Sequence, residues 1–161
     1  MRLPNIQMLL TLLAIVATGC TTMGTGSGST PSGGHPTVFN WESSDGISGT
    51  MTATMSGGQT YSGQYFQITK DTTVDSIGPL WYSGWGAGIG RSGWDYWGAY
   101  PSPDFITHYS GRVVAHLAAA NGTHMRCQFR LVHPADGMND GGIGQCQLPD
   151  GTTIDANFPT A

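Results

Sequence analysis

The residues able to do chemistry in this chain are few and scattered. Of 161 residues, 3 are Cys, 5 are His and 10 are Asp or Glu. Glu42 is the only glutamate, so a paired-carboxylate glycosidase would have to be built from aspartates. His108, His116, His124 and His133 read as surface histidines, the alternative being a metal site. The run Asp136-Gly137-Met138-Asn139-Asp140-Gly141 offers oxygen ligands beside a turn. It is half of a calcium loop, without the distal bidentate Glu, and reads as a plain turn. Gly88-x-Gly90-x-x-Gly93 has the spacing of a dinucleotide-binding loop. It lacks the strand, helix and downstream acid that such a loop needs. Ser, His and Asp all occur, with no nucleophile-elbow motif to join them. The expectation is therefore no enzyme, no cofactor and no metal site.

Any such residue must be positioned by the elements around it. Only 10% of residues are charged, and 25 are Gly. With 39% hydrophobic residues, this is not a charge-solvated disordered chain. The net charge of −4 leaves no basic footprint for nucleic acid. Gly follows no strict triplet period, which excludes collagen. No long 3.6-residue periodicity appears, and polar and β-branched residues alternate. Three stretches share one plan of strand, Gly-ended turn and strand: Gly49 to Tyr65, Gly111 to Phe129, and Gly142 to Phe158. Beyond the turn glycines Gly58, Gly122 and Gly151, alternate positions read Tyr61-Gly63-Tyr65, Met125-Cys127-Phe129 and Ile154-Ala156-Phe158. Large, small and large residues at a period of two make one buried strand face.

Face consistency also fixes the turns. A two-residue Asn121-Gly122 loop would put Val113, Ala115 and Leu117 on the opposite face from Met125, Cys127 and Phe129. A three-residue loop, Ala120-Asn121-Gly122, aligns Leu117 with Met125, Ala115 with Cys127 and Val113 with Phe129. Such loops need a left-handed residue, where Gly fits. Ser56-Gly57-Gly58 and Pro149-Asp150-Gly151 match the same plan. In spacing the hairpins resemble MORN-type repeats, through Gly142, Gly144, Asp150, Gly151 and Ile154, and through Gly58, Tyr61 and Gly63. Only the first has the Tyr-x-Gly of that family, and long inserts break the array. The likeness is one of hairpin physics. With further strands at Thr37 to Glu42 and near Ile106 to Ser110, the sheet should curl into a small antiparallel barrel or sandwich. Its expected core is Phe39, Met51, Ala53, Tyr61, Val113, Leu117, Met125, Phe129, Leu131, Leu148, Ile154 and Phe158.

The N-terminus reads as an address. Arg2 precedes the apolar run Met8 to Ala17, too short for the ~20 helical residues of a membrane span. Ala17, Thr18, Gly19 and Cys20 follow. This order resembles the lipobox of bacterial lipoprotein precursors, with Ala17 where that family usually has Leu. The resemblance implies a signal peptide over 1–19, cleaved before Cys20, and lipidation of Cys20 by diacylglycerol and a further acyl chain such as palmitate. More than one chain makes a stable membrane anchor. Thr21 stands where inner-membrane retention would usually show Asp, which implies the outer membrane, facing the periplasm. Residues 20–36 are then a lipidated flexible tether with His35 solvated, and 37–161 the β-domain. In an oxidising envelope, Cys127 and Cys146 on inward faces of consecutive antiparallel strands suggest a disulfide. Two buried thiols, or a metal or redox role, are the alternatives.

One stretch stands apart. Residues 78–104 hold seven Gly, four Trp and three Tyr, without period. An insert this long and aromatic is either a lid or variable loop, or a contact surface. In the second case Trp81, Trp85, Trp94 and Trp97 are the candidate contacts, since rigid rings suit glycans, lipid headgroups and protein partners. The overall expectation is a non-enzymatic outer-membrane lipoprotein with a structural or envelope-binding role. The alternative is a small periplasmic ligand-binding barrel with the insert as lid.

Overall fold

A computed structural model describes residues 20–69 and 109–160. Eight strands form a closed antiparallel barrel in which every strand pairs with its chain neighbours. They are β1 (Thr22–Ser29), β2 (Thr37–Ser43), β3 (Ser48–Met55), β4 (Thr60–Thr69), β5 (Tyr109–Ala119), β6 (His124–Leu131), β7 (Gly142–Gln147) and β8 (Thr153–Phe158). β1 pairs with β8 through Ser27–Asn157, Gly28–Ala156 and Ser29–Asp155, which closes the ring. The expected barrel-or-sandwich alternative thus resolves to a barrel.

The three hairpins have the expected registers. Leu117 faces Met125, Ala115 faces Cys127 and Val113 faces Phe129. The three-residue loops are present in all three, closed by Met55 N–H to Gln59 O, Ala119 N–H to Thr123 O and Leu148 N–H to Thr152 O. Gly58, Gly122 and Gly151 end them at φ of 82°, 81° and 87°, the left-handed region that other residues enter only with strain. All twelve expected core residues are buried, joined by Trp41, Tyr65, Met138 and the two body cysteines. Phe39, Phe129 and Phe158 meet across the centre at ring separations of 4.9 to 6.4 Å. These are edge-to-face or tilted contacts, the favoured geometry for aromatic pairs.

The tether reading of 20–36 is corrected: residues 22–29 are a barrel strand. Its inward positions are Gly24, Gly26 and Gly28, which bring no side chain of their own. A Cβ at Gly24 would strike the Trp41 indole, one at Gly26 the Phe158 ring, and one at Gly28 the Phe39 ring. The strand therefore contributes bare backbone, and rings from its neighbours β2 and β8 lie against it. Only residues 30–36, including exposed His35, form a connection.

Alternation along the strands makes the inside apolar and the outside largely polar, with Met23, Val38 and Ile143 the exposed apolar side chains on the strands. Thr50, Thr52 and Thr54 on β3, Ser62 and Gln64 on β4, and Gln145 and Asp155 on β7 and β8 sit at the outward register positions. A barrel that spans a bilayer needs the reverse, an apolar outer band.

Candidate functional site

Strand direction sorts the loops onto two rims. Cys20 stands two residues before β1, exposed and with a free thiol. The same rim carries the β2–β3 turn, the end of β4 at Thr69, the start of β5 at Tyr109, and the segment between β6 and β7. The three Gly-ended hairpin turns lie at the other rim. Both ends of the connection 70–108 therefore open on the Cys20 rim. Trp81, Trp85, Trp94, Trp97 and His108 lie outside the described residues.

This rim is held by specific polar contacts. The Asp45 carboxylate accepts from Ile47 N–H at 2.9 Å, Ser48 N–H at 2.7 Å and Ser48 Oγ at 2.8 Å. Partial burial pushes its pKa up, but the hydrogen bonds from Ser48, Ile47 and Ser43 outweigh this and hold it below the usual value. Beyond β6, Pro134–Asp140 forms a kinked 3-10 segment. Its Gly137 has φ of 64° and packs against the Gly46 carbonyl, while Met138 is buried beneath it. The segment brings His133, Asp136 and Asp140 together. Reading the histidines and the Asp136–Gly141 turn separately misses this cluster. The signal is present as His-x-x-Asp-x-x-x-Asp across a Pro-started turn.

The two body cysteines meet as expected. Cys127 and Cys146 are directly opposed on β6 and β7, with Cα atoms 4.0 Å apart, and form a disulfide inside the barrel. Both are fully buried.

The outer wall over β6, β7, β8 and β1 carries a groove of about 820 Å³. Gln128, Arg130, Ile143, Gln145, Asp155 and Asn157 line it, with Ser27 and Ser29. Gln145 Nε2 donates to Asp155 Oδ1 at 2.8 Å across the strands. The lining mixes one cation, one anion, amides, hydroxyls and the apolar Ile143 side chain.

His116 pairs with Arg126 and His124 with Ala118, as the register predicts. They are not fully solvated surface histidines, however. Both are half-buried, and their ring centres are 5.1 Å apart. Arg126 is 1% exposed although it points outward, and its Nη2 donates to Gln147 Oε1 at 3.2 Å. Burial, then the neighbouring His124, lowers the His116 pKa. The unfolded chain therefore binds this proton more tightly than the folded one. His116's contribution is fully present above its ordinary value of 6.5 and is lost as pH falls through the folded value. Tm is expected to fall as pH drops through and below 6.5, less steeply in His116→Gln, where Gln64, His124 and Arg126 still face the position. Parallel Tm profiles for the two proteins would contradict this.

The sequence matches no protein-family model. No curated protein shows significant similarity to it. Among solved structures it is similar to a redesigned β-barrel, mFAP1, bound to DFHBI: 10% identity, 85% of this chain and 91% of the other, TM-score 0.46. It is also similar to a fluorescence-activating β-barrel designed de novo: 9% identity, 90% of this chain and 96% of the other, TM-score 0.46.

Proposed function

We propose that this chain is a lipid-anchored envelope protein, non-enzymatic, held through Cys20 at the outer membrane with its barrel in the periplasm. The observation that carries the reading is the shared rim. Cys20 is exposed there, two residues from the wall, and the Trp- and Tyr-rich connection leaves and returns on that same side. A short link from lipid to barrel would hold this rim at the headgroup layer, where Trp and Tyr are favoured. Lipid headgroups are therefore the preferred contact, ahead of glycan or another envelope protein. The polar outer wall supports attachment through lipid rather than through the strands. The alternative is a barrel that holds a small ligand inside. It is less favoured because Phe39, Phe129 and Phe158 pack across the centre.

The test is expression of the full chain in a bacterium fed labelled palmitate. Wild type should incorporate label, sediment with outer membranes and give a mature mass beginning at acylated Cys20. Cys20→Ala should lose the label and leave the membrane fraction. A wild-type mature protein with unmodified Cys20, or one retaining residues 1–19, would overturn the proposal. For the contact surface, the lipid-free chain from Thr21 is mixed with vesicles of phosphatidylethanolamine and phosphatidylglycerol. Co-sedimentation should drop at least several-fold when Trp81, Trp85, Trp94 and Trp97 all become Ala. No sedimentation of wild type would remove the headgroup reading.

A further inference from the structure

We propose that His133, Asp136 and Asp140 form a binding site for a divalent first-row transition ion, with zinc as the reference case. One donor atom from each side chain lies within 4.8 Å of the other two. His133 Nδ1 and Asp140 Oδ2 are already 2.5 Å apart and hydrogen-bonded. In a tetrahedral zinc site with bonds near 2.1 Å, ligand atoms stand about 3.4 Å from one another. The required spacing lies between the 2.5 Å of the His133–Asp140 pair and the 4.8 Å within which all three donors fall. The ion would replace the hydrogen bond between imidazole and carboxylate.

The backbone under the donors is fixed independently of them. Asp136 N–H donates to His133 O at 3.1 Å, and Gly141 N–H to Met138 O at 3.1 Å. Gln67 Nε2, from inside the barrel wall, donates to Pro134 O at 2.6 Å. Met138 is 2% exposed and ties the segment to the core. Its donors are thus held on a rigid support, which lowers the ordering cost of binding.

The donor types choose the ion. Two carboxylates bring two negative charges to balance a divalent cation. An imidazole nitrogen suits zinc, copper, nickel or cobalt, whereas calcium and magnesium prefer oxygen alone. His133 and Asp136 are exposed and Asp140 half-exposed. The remaining coordination positions would be filled by water. The site is separate from the lipid anchor and does not depend on it.

The experiment uses the chain from Thr21, without a histidine tag, stripped with EDTA and titrated with zinc chloride by calorimetry. One saturable equivalent is expected, unchanged by excess calcium. Asp136→Asn and Asp140→Asn should each weaken it at least ten-fold, and His133→Gln likewise, with Tm of the metal-free proteins kept within a few degrees. His116→Gln with His124→Gln serves as the contrast, because that close imidazole pair is the other place zinc could go. Loss of binding in the contrast variant but not in the three site variants would overturn the proposal. So would absence of a saturable equivalent in wild type, or equal displacement by calcium.

Discussion

A chain that begins at Thr37 is expected not to fold, although everything after it contains the whole recognisable β-domain. The reason is the glycine strand. Removing 20–36 unpairs β2 along seven register pairs from Thr22–Ser43 to Gly28–Thr37, and β8 along three. It opens the barrel and strips cover from Trp41, Phe39 and Phe158, whose rings lie against Gly24, Gly28 and Gly26. Three large aromatic side chains losing most of their burial costs on the order of 5 kcal/mol at 1.5–3 kcal/mol each. That is comparable to the roughly 5–15 kcal/mol by which a domain is usually stable. Two exposed strand edges would add a tendency to aggregate. The chain from Thr21 should unfold in one cooperative urea transition, while the chain from Thr37 should show none or precipitate. If the shorter chain melts cooperatively with similar midpoint, β1 is a tether after all. A milder probe tests the same contact. Gly26→Val should be strongly destabilising because its Cβ would collide with the Phe158 ring, while Ser27→Val on the outer face should change little.

Why this strand was illegible, when its neighbours were not, follows from how strands announce themselves. A strand is read from side chains at a period of two. The hairpins carry that signal in Leu117, Met125 and Phe129, and their turn glycines mark the corners. β1 reads Thr-Met-Gly-Thr-Gly-Ser-Gly-Ser. Its period of two is present, but in glycines, which look like a linker because they bring nothing to bury. The information lies in the partners: Trp41 and Phe39 on β2 and Phe158 on β8 are too large for a small barrel unless some wall is bare. The rim was hidden for a different reason. His133 and Asp140 are seven residues apart in a segment with no regular period, and only the kink at Gly137 and the docking of Met138 bring them together. The lipidation proposed for Cys20, by contrast, rests on the local order of residues 17 to 20. That order is visible in the sequence whatever the fold.

Reduction of Cys127–Cys146 is expected to cost about 3 kcal/mol, the chain-entropy value for a loop of roughly 20 residues. For a domain of this size that corresponds to a fall in Tm of about 10 °C. The chain from Thr21 suits the measurement, since it has no third thiol. Urea unfolding with and without dithiothreitol should move the midpoint down, with the slope unchanged or slightly larger because the reduced denatured chain is more open. Two observations make the sulfurs slow to reach. Both cysteines are fully buried, and they face a lumen filled by the phenylalanine cluster and sealed on every side by paired strands. Reduction of the folded protein therefore has to wait for the barrel to open, and its rate should climb steeply with urea below the unfolding midpoint. Fast reduction in native buffer would mean that β6 and β7 part locally without global unfolding. A loss well under about 1 kcal/mol would mean something else: the Pro134–Asp140 segment already restricts the loop in the unfolded chain, so that the cross-link removes little further freedom. If the His133 site orders that segment in the folded protein, zinc should raise the midpoint of the oxidised protein, measured without dithiothreitol, and Asp140→Asn should abolish the increment.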